Sequence, residues 1–205
     1  MDRISNLTGN INKMRVSMKT YRMKMSALLA VVAIGMQLMG CGGPKDYKAA
    51  MHDPFLYCKT VKKLNDVVLE NNFPPMIATR NYAYANIAAY EVIAAGAPSR
   101  AQSLSGQIQH LPPMPKPADT SIVDFPLAAM LAFTKVGNAV TFPEGSLMGY
   151  YDELLEMADS LGMPSAIQEA TRAYADTISS AIMAWSKTDN YAQTRSSTRY
   201  TVNND

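Results

Sequence analysis

Four side chains stand out by type and spacing. Arg80, Tyr84, Ile87 and Glu91 recur at i, i+4, i+7 and i+11 among small and apolar neighbours, the spacing of one helix face. A cation, a phenol and a carboxylate on one stripe could bind a ligand or move a proton. At 1.5 Å of rise per residue, however, Arg80 and Glu91 stand about 16 Å apart along the axis and cannot pair with each other. If buried, each needs a partner from another element. Buried ion pairs are commonly architectural, so the stripe reads as an anchor for neighbouring helices or loops rather than as a catalytic pair.

The remaining candidates are weaker. His52 and His110 are the only histidines, and neither has a second ligand at His-x-x-x-His or Cys-x-x-Cys spacing. Both read as surface histidines. Asp152, Glu153, Glu156 and Asp159 cluster, but a di-metal bundle needs Glu-x-x-His on the core face, so these acids read as a solvated face. Cys58 sits in an apolar helical pattern with no histidine placed beside it, and reads as a small buried hydrophobe. There is no Gly-rich phosphate loop, Walker pattern or serine nucleophile elbow. The chain therefore offers no catalytic, cofactor-binding or metal-binding residue on side-chain chemistry alone.

The clearest chemistry belongs to Cys41. Lys19, Arg22 and Lys24 precede an apolar run from Met25 to Met39, in the order of a secretory signal. The run is shorter than the span of about 20 residues that a bilayer core needs. Leu38-Met39-Gly40-Cys41 resembles a lipobox, with Met39 where a small residue is more usual. Gly40 suits a peptidase that needs a small residue before the cut, and the Cys41 thiol can form a thioether to lipid. The expectation is a lipoprotein signal peptide over 1–40, lipidation at Cys41 and a tether over 41–47. The protein is then held by that lipid to a membrane of the cell envelope, in the periplasm or at the outer membrane. A plain membrane anchor with Cys41 unmodified fits the short apolar run less well.

Charge agrees with this division. The formal net charge is +2, but residues 1–40 hold six basic side chains and one acid. Removing that +5 leaves −3 for the remainder. A mildly acidic mature protein carries no electrostatic footprint for nucleic acid.

The elements that must position these residues read as helices. Tyr57, Val61, Leu64 and Val68 form one stripe within a helical segment from Tyr47 to Asn72, stopped by Asn71-Asn72-Phe73-Pro74-Pro75. A second helix runs from Pro75 to Ala95, with Gly96 placed for a left-handed cap. Five prolines between Ala97 and Ser121 predict a long surface loop. Asp124 is placed to cap a third helix. Ser146 is placed to cap a fourth over Leu147–Leu161, ended by Gly162. Ser165 and Gln168 form a capping-box pattern. They lead into a stripe of Ile167, Thr171, Tyr174, Ile178, Ala181 and Trp185. No segment shows sustained alternation. The expected fold is all-α, about five helices in part of a helical bundle over 48–187, followed by a polar tail over 188–205.

Two stretches carry a family resemblance. Phe73-Pro-Pro-Met-Ile-Ala-Thr-Arg80-Asn-Tyr-Ala-Tyr-Ala-Asn86-Ile-Ala-Ala-Tyr-Glu91 resembles the N-terminal helical region of bacterial proteins in the vanadium-dependent haloperoxidase and type-2 phosphatidic acid phosphatase (PAP2) superfamily. Trp185 to Arg195 and on through Arg199-Tyr-Thr-Val is similar to the segment before the catalytic half in that group. The likeness covers about residues 50–205. It implies a helical bundle and, in a complete member, an oxyanion cage of Lys, Arg, Ser-Gly and His around phosphate or vanadate. There a histidine attacks phosphorus or holds vanadium, and cationic and amide donors stabilise the charged trigonal bipyramid. Of those motifs, the Lys and Arg leading to Arg-Pro and the Arg followed by His are absent here. Ser105-Gly106-Gln107 is the nearest match to Ser-Gly-His and has Gln in place of His. No catalytic residue carries over, and no cofactor is expected in this chain.

Two readings follow. In the leading one, this is the lipid-anchored N-terminal helical part of a phosphatase- or haloperoxidase-like enzyme, inactive as it stands and ending before a catalytic half. The alternative is a non-catalytic helical lipoprotein that acts as a binding or structural module. The first predicts uncovered apolar faces, the second a monodisperse, cooperatively melting domain.

Overall fold

Prolines open three of the long helices. The computed structural model describes residues 46–198. The expected signal peptide, Cys41, most of the tether and the end of the polar tail from Arg199 onward lie outside the described residues. Among the described residues there are five long helices, two short ones and no strand. They are α1 (Tyr47–Met51), α2 (Pro54–Glu70), α3 (Pro75–Gly96), α4 (Phe125–Val140), α5 (Met148–Ser160), α6 (Ser165–Ser186) and α7 (Tyr191–Ser196). Pro54, Pro75 and Pro126 occupy the first or second position of α2, α3 and α4, where the missing N–H costs nothing and the fixed φ is already helical.

Pro54 also divides the helical segment expected from Tyr47 onward. It forces Asp53 into extended backbone (φ −70°, ψ 119°), so α1 stops and α2 restarts. Asp53 turns the break into a cap, its carboxylate accepting from Phe55 N–H at 2.9 Å. At the far end, Asn72 is left-handed (φ 51°). Phe73 N–H and Asn72 N–H return to Val68 and Leu69 carbonyls, each at 3.2 Å, which is a Schellman closure. Gly162 (φ 87°) closes α5 the same way, through Gly162 N–H to Asp159 and Met163 N–H to Ala158.

Three expected caps are corrected. Ser146 donates its hydroxyl to the Pro143 carbonyl, and the start of α5 is met instead by Asn138 Oδ1, which accepts from Leu147 N–H at 3.2 Å. Ser165 is the first residue of α6 and makes no cap. Gln168 reaches away from it and donates to the Leu155 carbonyl at 2.8 Å. Gly96 is not left-handed. It is the last residue of α3, and a Cβ there would lie 2.4 Å from the Phe125 ring. Its absent side chain serves the close approach of α3 to the start of α4. Asp124 does cap α4, accepting from Leu127 N–H at 3.0 Å.

The α4 helix is the centre, packed against α2, α3, α5 and α6. Every residue from Leu127 to Thr134 is buried, as expected of a helix covered on all sides. Its most extensive neighbour is α3, whose buried face is mostly alanine: Ala78, Ala85, Ala88, Ala89 and Ala94. Small residues on both helices set the axes close together. On α6 the expected stripe is buried at Thr171, Tyr174 and Ile178, while Ile167, Ala181 and Trp185 are half-buried. Three buried hydroxyls, those of Thr134, Thr141 and Ser179, each donate to the carbonyl four residues back.

Candidate functional site

The stripe on α3 meets the chain again after α6. Trp185 stands at the end of α6, Lys187–Asp189 forms a 3-10 turn, and Asn190 is left-handed (φ 57°). That turn aims the Asp189 carboxylate back at α3. One oxygen accepts from Arg80 Nε at 2.6 Å and from the Tyr84 hydroxyl at 2.9 Å. The other accepts from Tyr191 N–H at 2.9 Å. The Arg80 guanidinium lies between two rings, 4.8 Å from the Tyr84 centroid and 4.2 Å from that of Tyr191, a favourable cation–π arrangement. Trp185 meets Tyr84 edge-on at 5.2 Å and donates its indole N–H to the Gln109 carbonyl at 3.2 Å.

The electrostatics follow from this geometry. Burial pushes the Asp189 carboxyl up, but hydrogen bonds from Arg80, Tyr191 N–H and Tyr84, with the Arg80 charge, outweigh it and hold the group below its ordinary range. Tyr84 is pushed up to about 12 by burial and by its bond to the Asp189 carboxylate. The Arg80 and Asp189 side chains are 19% and 25% exposed, so this pair is partly shielded from solvent. The cluster joins the two sequence stretches that carry the family resemblance. Arg80 was expected to need a partner from another element, and Asp189 is that partner. Asp189 itself sits in what reads as a polar tail, and no local pattern links positions 109 residues apart.

Glu91, at the other end of the stripe, is 1% exposed. Its oxygens accept from the Ser103 hydroxyl at 2.8 Å and from Leu104 N–H at 2.7 Å, so it holds the proline-rich loop onto α3. Arg80 and Glu91 thus anchor different segments, in keeping with the architectural reading.

His52 is exposed as expected, but its Nε2 lies 3.0 Å from Oδ2 of Asp124, whose side chain is only 4% exposed. Asp124 also donates its N–H to Thr171 Oγ1 at 2.9 Å. The α1–α2 junction, the start of α4 and α6 are thereby clamped together. His110 is exposed in the loop with φ 60°. Asp152, Glu153, Glu156 and Asp159 are all exposed, a solvated face of α5. Cys58 is exposed, not buried. It lies off the face that α2 buries, which carries Thr60, Leu64, Val67 and Val68. Among the described residues no group of three or more His, Cys, Asp or Glu is placed to hold a metal ion.

The described residues do not fit a vanadate or phosphate cage. Ser105 Oγ donates to the Leu111 carbonyl and Gln107 Nε2 to the Ser103 carbonyl, so both side chains of the Ser-Gly-Gln segment serve the loop's own backbone. Arg80 faces a carboxylate that an oxyanion would have to displace.

No family model and no curated protein matches the chain. A solved structure does: that of a bacterial vanadium-dependent iodoperoxidase, with 30% sequence identity and a TM-score of 0.66. The match covers 72% of this chain and 35% of that one, so the chain spans about a third of the iodoperoxidase's length. The described residues therefore have a vanadium haloperoxidase-like, all-α fold.

Proposed function

We propose that this chain is the N-terminal helical part of a lipid-anchored, haloperoxidase-like envelope protein. It frames a catalytic portion and is not itself the catalyst. The observation that carries the reading is the junction of Arg80, Tyr84, Trp185, Asp189 and Tyr191. It ties together the two segments that resemble the superfamily, and the same chain matches the iodoperoxidase at 30% identity. In the complete protein the chemistry would be halide oxidation or phosphate-ester hydrolysis. Vanadate or phosphate would be held by the catalytic portion, because the cationic and amide donors of an oxyanion cage do not converge among the residues described.

Anchoring rests on Cys41 and the signal before it. The apolar run of Met25–Met39 is shorter than a bilayer core needs, which supports attachment through lipid on Cys41. Metabolic labelling with a palmitate analogue should mark the wild-type protein and not Cys41→Ala; equal labelling of both removes the anchor from the proposal. The enzymatic reading is tested by sequencing the locus beyond the Asp205 codon. Arg-Pro, Ser-Gly-His and Arg…His motifs are expected in the same or an adjacent frame. If none follows, the catalytic portion is lost from the proposal and a lipid-tethered helical binding module is what remains.

A further inference from the structure

The proline-rich loop is held against α3 through Glu91. Between the C-terminal half of α3 and the loop is a cleft of about 540 Å³, within the range of small-molecule sites. Its walls are largely apolar, including Ala94, Ala101, Pro113 and Met114, and Glu91 lines it as well. Glu91 is 1% exposed, and its hydrogen-bond partners are the Ser103 hydroxyl and Leu104 N–H, both neutral. No cation lies within ion-pair distance of it among the described residues. Lys116 also lines the cleft but is exposed to solvent.

A carboxylate has about four acceptor positions, and two donors occupy only part of that capacity. A buried charge without a counter-charge is costly. Tyr174, whose hydroxyl donates to the Pro115 carbonyl at 3.2 Å, is pushed up to about 12 by burial and by the charge of Glu91, so it stays neutral and supplies no counter-charge. We propose that this cleft binds a small organic cation, a protonated primary amine with an apolar body. The ammonium group pairs with Glu91 and the hydrocarbon lies against the alanine and proline walls. The amine supplies the missing counter-charge and donors, and the cleft supplies apolar surface.

The test is calorimetric titration of the full chain with hexylammonium and, separately, with 1-hexanol, which has the same hydrocarbon and no charge. Hexylammonium should bind at least about tenfold more tightly than hexanol, the scale of a hydrogen-bonded charge. Glu91→Gln keeps an oxygen to accept from Leu104 N–H while removing the charge, and should weaken hexylammonium by a similar factor. Ala101→Phe narrows the cleft from its loop wall without changing Glu91, and should abolish both ligands. Equal affinity for amine and alcohol, unchanged binding by Glu91→Gln, or no heat with hexylammonium up to about 10 mM would each overturn the proposal. If Glu91→Gln fails to fold by circular dichroism, the amine–alcohol comparison and Ala101→Phe decide the matter.

Discussion

Replacing Asp189 with alanine removes one carboxylate that accepts from Arg80, Tyr84 and Tyr191. An exposed ion pair contributes about 0–1 kcal/mol, and breaking a fully buried one costs about 3–5 kcal/mol. With side chains 19% and 25% exposed, the Arg80–Asp189 pair falls between, at about 2 kcal/mol. The loss should act locally. The cluster holds the end of α6 and the short α7, while the core lies around α4. Trp185 is the only tryptophan in the chain, packs edge-on against Tyr84 and donates to the Gln109 carbonyl, so its fluorescence reports on this cluster and on the loop beside it. In Asp189→Ala its emission should shift to the red and acrylamide quenching should rise. The circular-dichroism melting temperature should fall by less than the roughly 4–8 °C that a global loss of about 2 kcal/mol would produce at this size. Arg80→Ala should reproduce the effect. Urea titrations of Trp185 emission on both single variants and the double variant should then give a coupling of about 1–2 kcal/mol. Unchanged emission in Asp189→Ala, or additivity within about 0.5 kcal/mol, would refute the claim that these residues act as one latch.

Further outcomes follow from other contacts. Because the folded Asp189 carboxyl is held below its ordinary range, its contribution is present above the unfolded value of about 4 and is lost as pH falls through the folded one. Trp185 emission should therefore shift below about pH 4 in the wild type and show no such step in Asp189→Ala. Gly96→Ala places a Cβ 2.4 Å from the Phe125 ring. Overpacking of about 1–3 kcal/mol should outweigh the helix-propensity gain of at most about 1 kcal/mol, giving a lower melting temperature; a rise would show that Phe125 moves aside freely. Asn81 is fully buried, and neither its amide nitrogen nor its oxygen has a partner among the described residues. Asn81→Leu should accordingly stabilise the fold by about 1–3 kcal/mol, and a lower melting temperature would show that the amide is satisfied. Tyr57, Tyr84, Tyr151 and Tyr174 are each pushed up to about 12, chiefly by burial. Absorbance near 295 nm should show these phenols ionising together with alkaline unfolding; ionisation near pH 10 in the still-folded protein would contradict their burial.

Secondary structure was legible wherever a local rule acts without competition. Asn72-Phe73-Pro74-Pro75 ends a helix because its backbone preferences exclude continuation, and Asp124 caps α4 because its carboxylate sits three residues from a free N–H. Rules failed where a side chain had a choice of partners. Ser146 and Gln168 bond to the Pro143 and Leu155 carbonyls instead of their helix starts. Cys58 points away from Thr60, Leu64 and Val67 on the buried side of α2, off the stripe of Tyr57, Val61, Leu64 and Val68, so apolar neighbours in sequence are not enough to bury it.

The sequence by itself determined an all-α chain, the positions of the main breaks and the need of Arg80 and Glu91 for partners elsewhere. Those conclusions rest on periodicity, proline geometry and the 1.5 Å rise of a helix, all of them local. The identity of the partners was decided only by the tertiary structure. Asp189 reaches Arg80 across 109 residues, and Ser103 and Leu104 reach Glu91 from a loop with no regular pattern. The packing of α3 against α4 and α6 brings these groups within hydrogen-bond distance, because a buried charge must be met by whatever donor or acceptor the packed elements carry to it.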